Sequence, residues 1–354
     1  MFNGSQYRVC ILRAALLACW FGLVSVGFGL SEPRLRVSDY FGAPGGIDYL
    51  NPFDLGFHSY KKSGSEKVGM VYTQKGGFFD IGHVRESADR TRYAVDLLYH
   101  QLIKSNQRFR FTLIEPSDYY VTVRYPENWK YLDETAKKEI VREISIRYGQ
   151  YLGHQSLIWH ELLTWFGYAS SGLFSEQISS FSWEDPFSDV TGTWLGVEAI
   201  RKGGSYDEQV TRLLTEKLKE LKAEPANIGR KAEDVIKGKW YTGGGYFFVT
   251  MKKRNFDVGF DDGQVTPWLV PGMYPQVEPV PCPVPDTSCL AEYDFAINVQ
   301  IDPKVMEKYK IYTALGLDPS HDRMQMETDF PKLLEYIKSE AQSRDGMDVG
   351  KPTL

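Results

Sequence analysis

The sequence predicts an α+β fold. Long amphipathic runs space their apolar residues three or four apart, and short runs alternate aromatic and β-branched residues. The two kinds come in mixed order, without the repeated strand–helix–strand units of a parallel sheet. The expectation is of long central helices packed with antiparallel strands. After Lys67, VGMVYT reads as a strand, and Gly76-Gly77 turns the chain before FFDIGH. A helix is expected from about Gly82 to Lys104, with Val84, Ala88, Thr91, Val95, Leu98 and Leu102 on one stripe and Asp80 as its cap. RFRFTLIEP and DYYVTVRYP alternate as two strands of a hairpin turning at Glu115-Pro116-Ser117.

A long helix follows from Glu134 to about Phe166, and Gly149 and Gly153 stand four apart within it, which permits a close helix crossing or marks a break. Asp185-Pro186 reads as a cap and first turn for a helix to about Lys202, in which Gly192 and Gly196 share a face. Ser205 and Glu208 form a capping box for a helix from Tyr206 to Ala223. YFFVTMKK, NFDVGF and EYDFAINVQI read as strands. Residues 30–66 read as an irregular lead-in, 67–342 as one α+β domain and 343–354 as a disordered tail.

Residues 1–29 have the layout of a secretory signal peptide. Arg8 and Arg13 precede a charge-free apolar run from Ala14 to Phe28, and small residues lie before a cut after Gly29. An uncleaved anchor and a lipoprotein cut at Cys19 are the alternatives. Export to the periplasm or cell envelope is therefore expected. Losing Arg8 and Arg13 takes the formal charge from −5 to about −7, which gives no electrostatic case for nucleic acid. No polybasic cluster offers itself to anionic lipid. Cys10 and Cys19 lie in the leader. Cys282 and Cys289 remain, and in an oxidising compartment they are expected to form a disulfide, two free thiols or a weak metal pair being the alternatives.

The stretch from His154 to Gly196 looks most like a site: it holds His154, His160, Glu161, Glu176, Glu184, Asp185 and Asp189 among four tryptophans. A zinc-protease helix needs a second histidine four residues after His160, and Thr164 stands there. On a continuous helix His154 and His160 would be about 9 Å apart on different faces, so neither can share one ion with the other. His160 must borrow partners from elsewhere, and the lenders are His83, Glu176, Glu184, Asp185 and Asp189. His83, in the first turn of its helix, is expected to be neutral because the positive helix end disfavours imidazolium. The alternative for each histidine is a satisfied structural hydrogen bond, and for Ser182, Glu184 and Asp185 it is helix capping. A serine triad using Ser179 or Ser182 with His160 lacks any Gly-x-Ser-x-Gly elbow. A third constellation, Asp257, Asp261 and Asp262 in NFDVGFDDGQVTPWLVP, lacks the spacing of an EF-hand.

Four motifs in order, GGFFDIGHVRESAD, WHELLTWFGY, SSFSWEDPFSDVTGTWLG and FDDGQVTPWLVP, resemble the bacterial family known as domain of unknown function 4056, over about residues 70 to 275. The resemblance implies exported envelope proteins, some with lipoprotein leaders, and no assigned activity. It marks His83, His160, Glu161, Ser182, Glu184 and Asp185 as motif positions without giving them roles.

Two functions from different classes follow. The first is an envelope hydrolase acting on lipid, glycan or peptide. In it His83 and His160 act as general base or bind a divalent metal such as zinc with Glu184 and Asp185, and Glu161 orients or shuttles protons. The second is a non-catalytic envelope protein in which the same residues form a buried polar network. The sequence leaves the oligomeric state open.

Overall fold

The computed structural model describes residues 32–34, 36, 41, 46–62, 64–113, 115–169, 176–243 and 249–347. The signal peptide expected at 1–29 lies outside them. The fold is α+β. Strands β1 (Met70–Thr73) and β2 (Gly77–Asp80) form an antiparallel hairpin with Thr73 opposite Gly77. Gly77 turns there at φ +64°, with the carbonyl of Trp268 where a Cβ would stand.

Helix α1 (Ile81–Leu102) starts directly from β2 because Asp80 caps it, accepting from the His83 amide at 3.1 Å. Strands β3 (Arg108–Thr112) and β4 (Ser117–Arg124) form the expected hairpin. Helix α2 (Glu134–Trp165) is unbroken, so its glycines mark a crossing. Helix α3 (Asp185–Lys202) has Glu184 at the cap position and Asp185 as first residue. Helix α4 (Tyr206–Glu220) is capped by Ser205. Helix α5 (Ala226–Ile236), strands β5 (Gln264–Val265) and β6 (Cys282–Pro283), and helix α6 (Ser288–Glu292) follow. Strand β7 (Ala296–Pro303), helix α7 (Lys308–Leu315), strand β8 (Met324–Gln325) and helix α8 (Met326–Asp345) complete the order. The main sheet is antiparallel, β3-β4-β7-β8. Tyr119, Val121 and Val123 of β4 and Ile297, Val299 and Ile301 of β7 point to its buried face.

Helix α1 lies between α2 and α3 and is approached on both sides at glycines. A Cβ on Gly149 or Gly153 would come within 3.0 Å of Val95 or Thr91, and one on Gly192 or Gly196 within 2.7 Å of the carbonyls of Val84 or Ala88. With no side chain in the way, the α1 backbone packs directly against both neighbours. Its charged residues are consequently buried and must be paired. Asp89 and Arg85 meet the lead-in: Arg36 lies 2.8 Å from Asp89, His58 3.0 Å from Asp89, and Glu66 3.0 Å from Arg85.

Four expectations need correction. Cys282 and Cys289 are free thiols. Cys289 is buried in the core around α2, while Cys282 packs against a separate apolar cluster around α1, α3 and α4, so each sulfur is committed to a different core. The described part of YFFVTMKK makes only an isolated bridge between Tyr241 and Met251. NFDVGF is not a strand either: the Asn255 amide is spent on the carbonyl of Phe181 and the Arg254 guanidinium on the carbonyls of Ser180 and Gln177, so no ladder forms. The tail stays helical to Asp345, ending at Gly346 in the left-handed region, and 348–354 lie outside the described residues. Among the described residues no helix is long and apolar enough to cross a membrane.

If the α1 crossing depends on bare glycine backbone, Gly192→Ala should lower stability by about 1–3 kcal/mol. Gly64→Ala, whose added methyl would meet only Ser59 Cβ at 3.9 Å, should leave the thermal melt unchanged. Equal melting temperatures for the two variants would refute the packing argument.

Candidate functional site

Three elements deliver the site. The start of α1 supplies His83, the last turns of α2 supply His160 and Glu161, and the turn into α3 supplies Ser182, Glu184, Asp185 and Asp189. The α1–α3 contact is fixed at this end by Asp80, whose amide donates to Ser188 Oγ at 3.0 Å. His83 Nδ1 stands 3.0 Å from Asp185 Oδ1 and 3.9 Å from Asp189 Oδ1. Asp189 also accepts from Ser87 Oγ at 2.9 Å. Asp185 Oδ2 accepts from the Ser182 amide at 2.9 Å, and Ser182 Oγ donates to Glu184 at 2.8 Å.

His160 has a carboxylate partner of its own. Its Nδ1 stands 3.0 Å from Oε1 of Glu115, in the turn between β3 and β4. Glu115 is held by Arg90, Nη2 to Oε1 at 2.8 Å and Nη1 to Oε2 at 3.1 Å. Arg90 also donates to Glu86. Both imidazoles therefore face a buried acid with Nδ1, His160 through a hydrogen bond to Glu115 and His83 through a 3.0 Å ion-pair contact with Asp185. Their side chains are 28% and 26% exposed, which leaves the Nε2 edge on the open side. Nε2 has no hydrogen-bond partner in either ring among the described residues; for His160 the nearest acid is Glu176, at 4.0 Å.

Burial lowers the proton affinity of His83, but Asp80, Asp185 and Asp189 more than reverse this and hold it well above the ordinary value. The expectation of a neutral His83 is thus corrected: nearby full charges outweigh the partial charge of the helix end. Burial likewise disfavours the His160 cation, and Glu115 overcomes it, raising the pKa to about 9. Glu115 is itself buried, yet Arg90 and His160 hold it down at about 2.

Glu161, buried and accepting from the Phe181 amide, is pushed up to about 7 by burial and Asp185, against the pull of His160 and His83. It feels both imidazoles, so it links the two halves of the site. Burial and Glu161 raise Asp189 to about 7, and burial and Asp185 raise Glu184 well above the carboxylate range. Asp185 is raised by burial, with His83 opposing.

His154 belongs to another environment: burial lowers it to about 4, and no carboxylate pairs with it among the described residues. Ser179 donates to the carbonyl of Glu176 and Ser182 to Glu184, so neither hydroxyl is bonded to His160. Ligand atoms of His83, His160, Glu184 and Asp185 do not converge on one point. Among the described residues only Asp257, Asp261 and Asp262 bring three such atoms within 4.8 Å of one another.

Sequence reading missed Glu115 and Arg90. The usable signal was Glu86 and Arg90 four apart on a helix that is buried all round, a spacing that marks an internal ion pair.

The architecture defines an α+β protein with two imidazole–carboxylate pairs flanking a buried glutamate. A family model described as "Protein of unknown function (DUF4056)" matches residues 45–261, more than half of the chain, and the protein belongs to that family. No curated protein and no solved structure matches it.

Because the pKa of His160 is raised from 6.5 to about 9, its contribution to stability is fully present below pH 6.5 and is lost as pH rises through 9. Denaturant midpoints should accordingly fall across that window. Glu115→Gln should move the His160 ring titration, followed by NMR, toward or below 6.5. A midpoint unmoved by the substitution would show that Glu115 does not set it.

Proposed function

We propose that the protein is an exported hydrolase of the cell envelope that works by acid–base chemistry at His83 and His160. The observation that carries this reading is the matched orientation of the two rings. Each holds Nδ1 against a buried carboxylate and keeps Nε2 on the accessible side, the arrangement in which an imidazole is ready to pass a proton. Glu161, near half-protonated at neutral pH, is the base in this scheme. It takes a proton from water as the hydroxyl attacks, while an imidazolium gives its Nε2 proton to the leaving group; Glu161 then releases its proton to solvent and the imidazole takes one up, which restores both groups. The carboxylates outnumber the cations, which favours an uncharged ester, amide or glycosidic bond of an envelope lipid, glycan or peptide over a phosphate. The leader-like run from Ala14 to Phe28 supports export.

A non-catalytic network is the second reading. It is favoured by the internal donors that already satisfy Glu161, Glu184, Asp185 and Asp189. A bound divalent cation would also suit rings that face a carboxylate with Nδ1.

The test is hydrolysis of ester, amide and glycoside panels and of isolated envelope polymers, with elemental analysis of the same preparation. The proposal expects His83→Ala and His160→Ala each to cost about a hundredfold or more in rate in protein that stays folded at the assay temperature, with His160→Ala melting somewhat lower because Glu115 loses its imidazolium partner. A large loss of stability in His160→Ala, with no hydrolysis by the wild type, would favour the network. Stoichiometric metal lost in that variant would move the chemistry to the ion.

A further inference from the structure

The NFDVGFDDGQVTPW motif takes no part in the paired-histidine site, yet it forms one wall of a cleft of about 300 Å³ against α8. That volume is at the small end of the range for small-molecule sites. Three aromatic rings line it. Phe256 is anchored on Phe181 and Trp165, with ring centroids at 5.1 and 6.1 Å, and Trp268 is anchored edge-on to Trp240 at 5.5 Å. Phe260 stands at the rim and is 36% exposed.

The charge of the lining is one-sided. Asp257, Asp261 and Glu335 line it with one cation, Lys338, whose ammonium is held by Glu335 at 2.8 Å; Asp257 is engaged as well, accepting from the Thr266 amide at 3.1 Å, which leaves Asp261 to meet the charge of a guest. Among the described residues Asp261 and its neighbour Asp262 enter no ion pair. Ring faces carry negative quadrupole density, so rings and carboxylates attract the same kind of guest. A hydrated metal ion would use the acids but gain little from the rings.

We propose that this cleft binds an organic cation, an ammonium or guanidinium group on a small apolar body. Phe260 at the rim takes the body and the face of the cation, over a floor formed by the buried Phe256 and Trp268, and Asp261 takes its charge. The inference is independent of the acid–base reading, since it needs neither histidine.

Calorimetric titration of the full chain tests it, with Nα-acetylated arginine amide and choline as cationic probes, Nα-acetylated citrulline amide as the uncharged isostere of the first, and calcium chloride alone. The expected result is saturable binding of at least one cationic probe, with arginine amide, where it binds, at least tenfold tighter than citrulline amide. Asp261→Asn, an exposed site that should leave the melt unchanged, and Phe260→Ala, checked to be folded at the titration temperature, should each weaken binding at least tenfold. Failure of both cationic probes to bind, equal affinity for arginine and citrulline amides, binding untouched by the two substitutions, or binding of calcium alone would each overturn the proposal.

Discussion

Helix α1 is held at backbone contact by α2 and α3, and most of the ionisable chemistry of this protein follows from that grip. A helix packed so closely on two sides cannot send Arg85, Glu86, Asp89, Arg90 and Asp96 to water. All five are buried, and a buried charge without a counter-charge costs several kcal/mol. The chain meets the requirement locally, with Glu86 and Arg90 one turn apart, and at long range, with Glu115 from the β3–β4 turn and Asp89 bound from the lead-in. The glycine pairs therefore decide where charges must be matched as well as how closely the helices pack.

The same grip explains why the two imidazoles differ in their support. His83 sits where the start of α1 meets the start of α3, among acids that share little positive charge. Its cationic form is stabilised by a surplus of carboxylates, while burial makes Asp185 and Asp189 hold their protons more tightly against the pull of that cation. His160 sits at the far side of Glu161 and relies on a single acid that Arg90 keeps ionised. One half of the site is proton-rich and adaptable, and the other is an ordered ion chain from Glu86 to His160. Glu161, sensing both, is the group whose protonation responds to either.

Much of the frame was legible in the chain. The glycine spacing at 149/153 and 192/196 announced close crossings, Asp80 announced the start of α1, and the alternation of β3 and β4 gave the hairpin. The site was legible in part. His83, His160, Glu161, Glu184, Asp185 and Asp189 stand out by residue type, but Glu115 is 45 residues from His160 and on a different element, and nothing local to either predicts their contact. The charge state of His83 was misjudged because helix-end polarity is local, whereas Asp185 and Asp189 arrive only with the folded chain. The strand expected at NFDVGF failed for a related reason. β-propensity describes a surface that fits beside a neighbour, and here the Asn255 amide is taken by the carbonyl of Phe181 in the turn that precedes α3. The cysteine pair was read from compartment and spacing, and the separation of the two apolar cores was invisible.

The lead-in carries a consequence for how this polypeptide can be shortened. Arg36 and His58 are wholly or nearly enclosed, and both end on Asp89 in the middle of α1. The family match begins at residue 45, after Arg36. A fragment trimmed to that border would keep the imidazole and discard the guanidinium, stranding a carboxylate in the interior beside half its counter-ions. The irregular arm ahead of the first hairpin is thus a structural member of the helical layer, and its removal would be felt at the centre of the molecule.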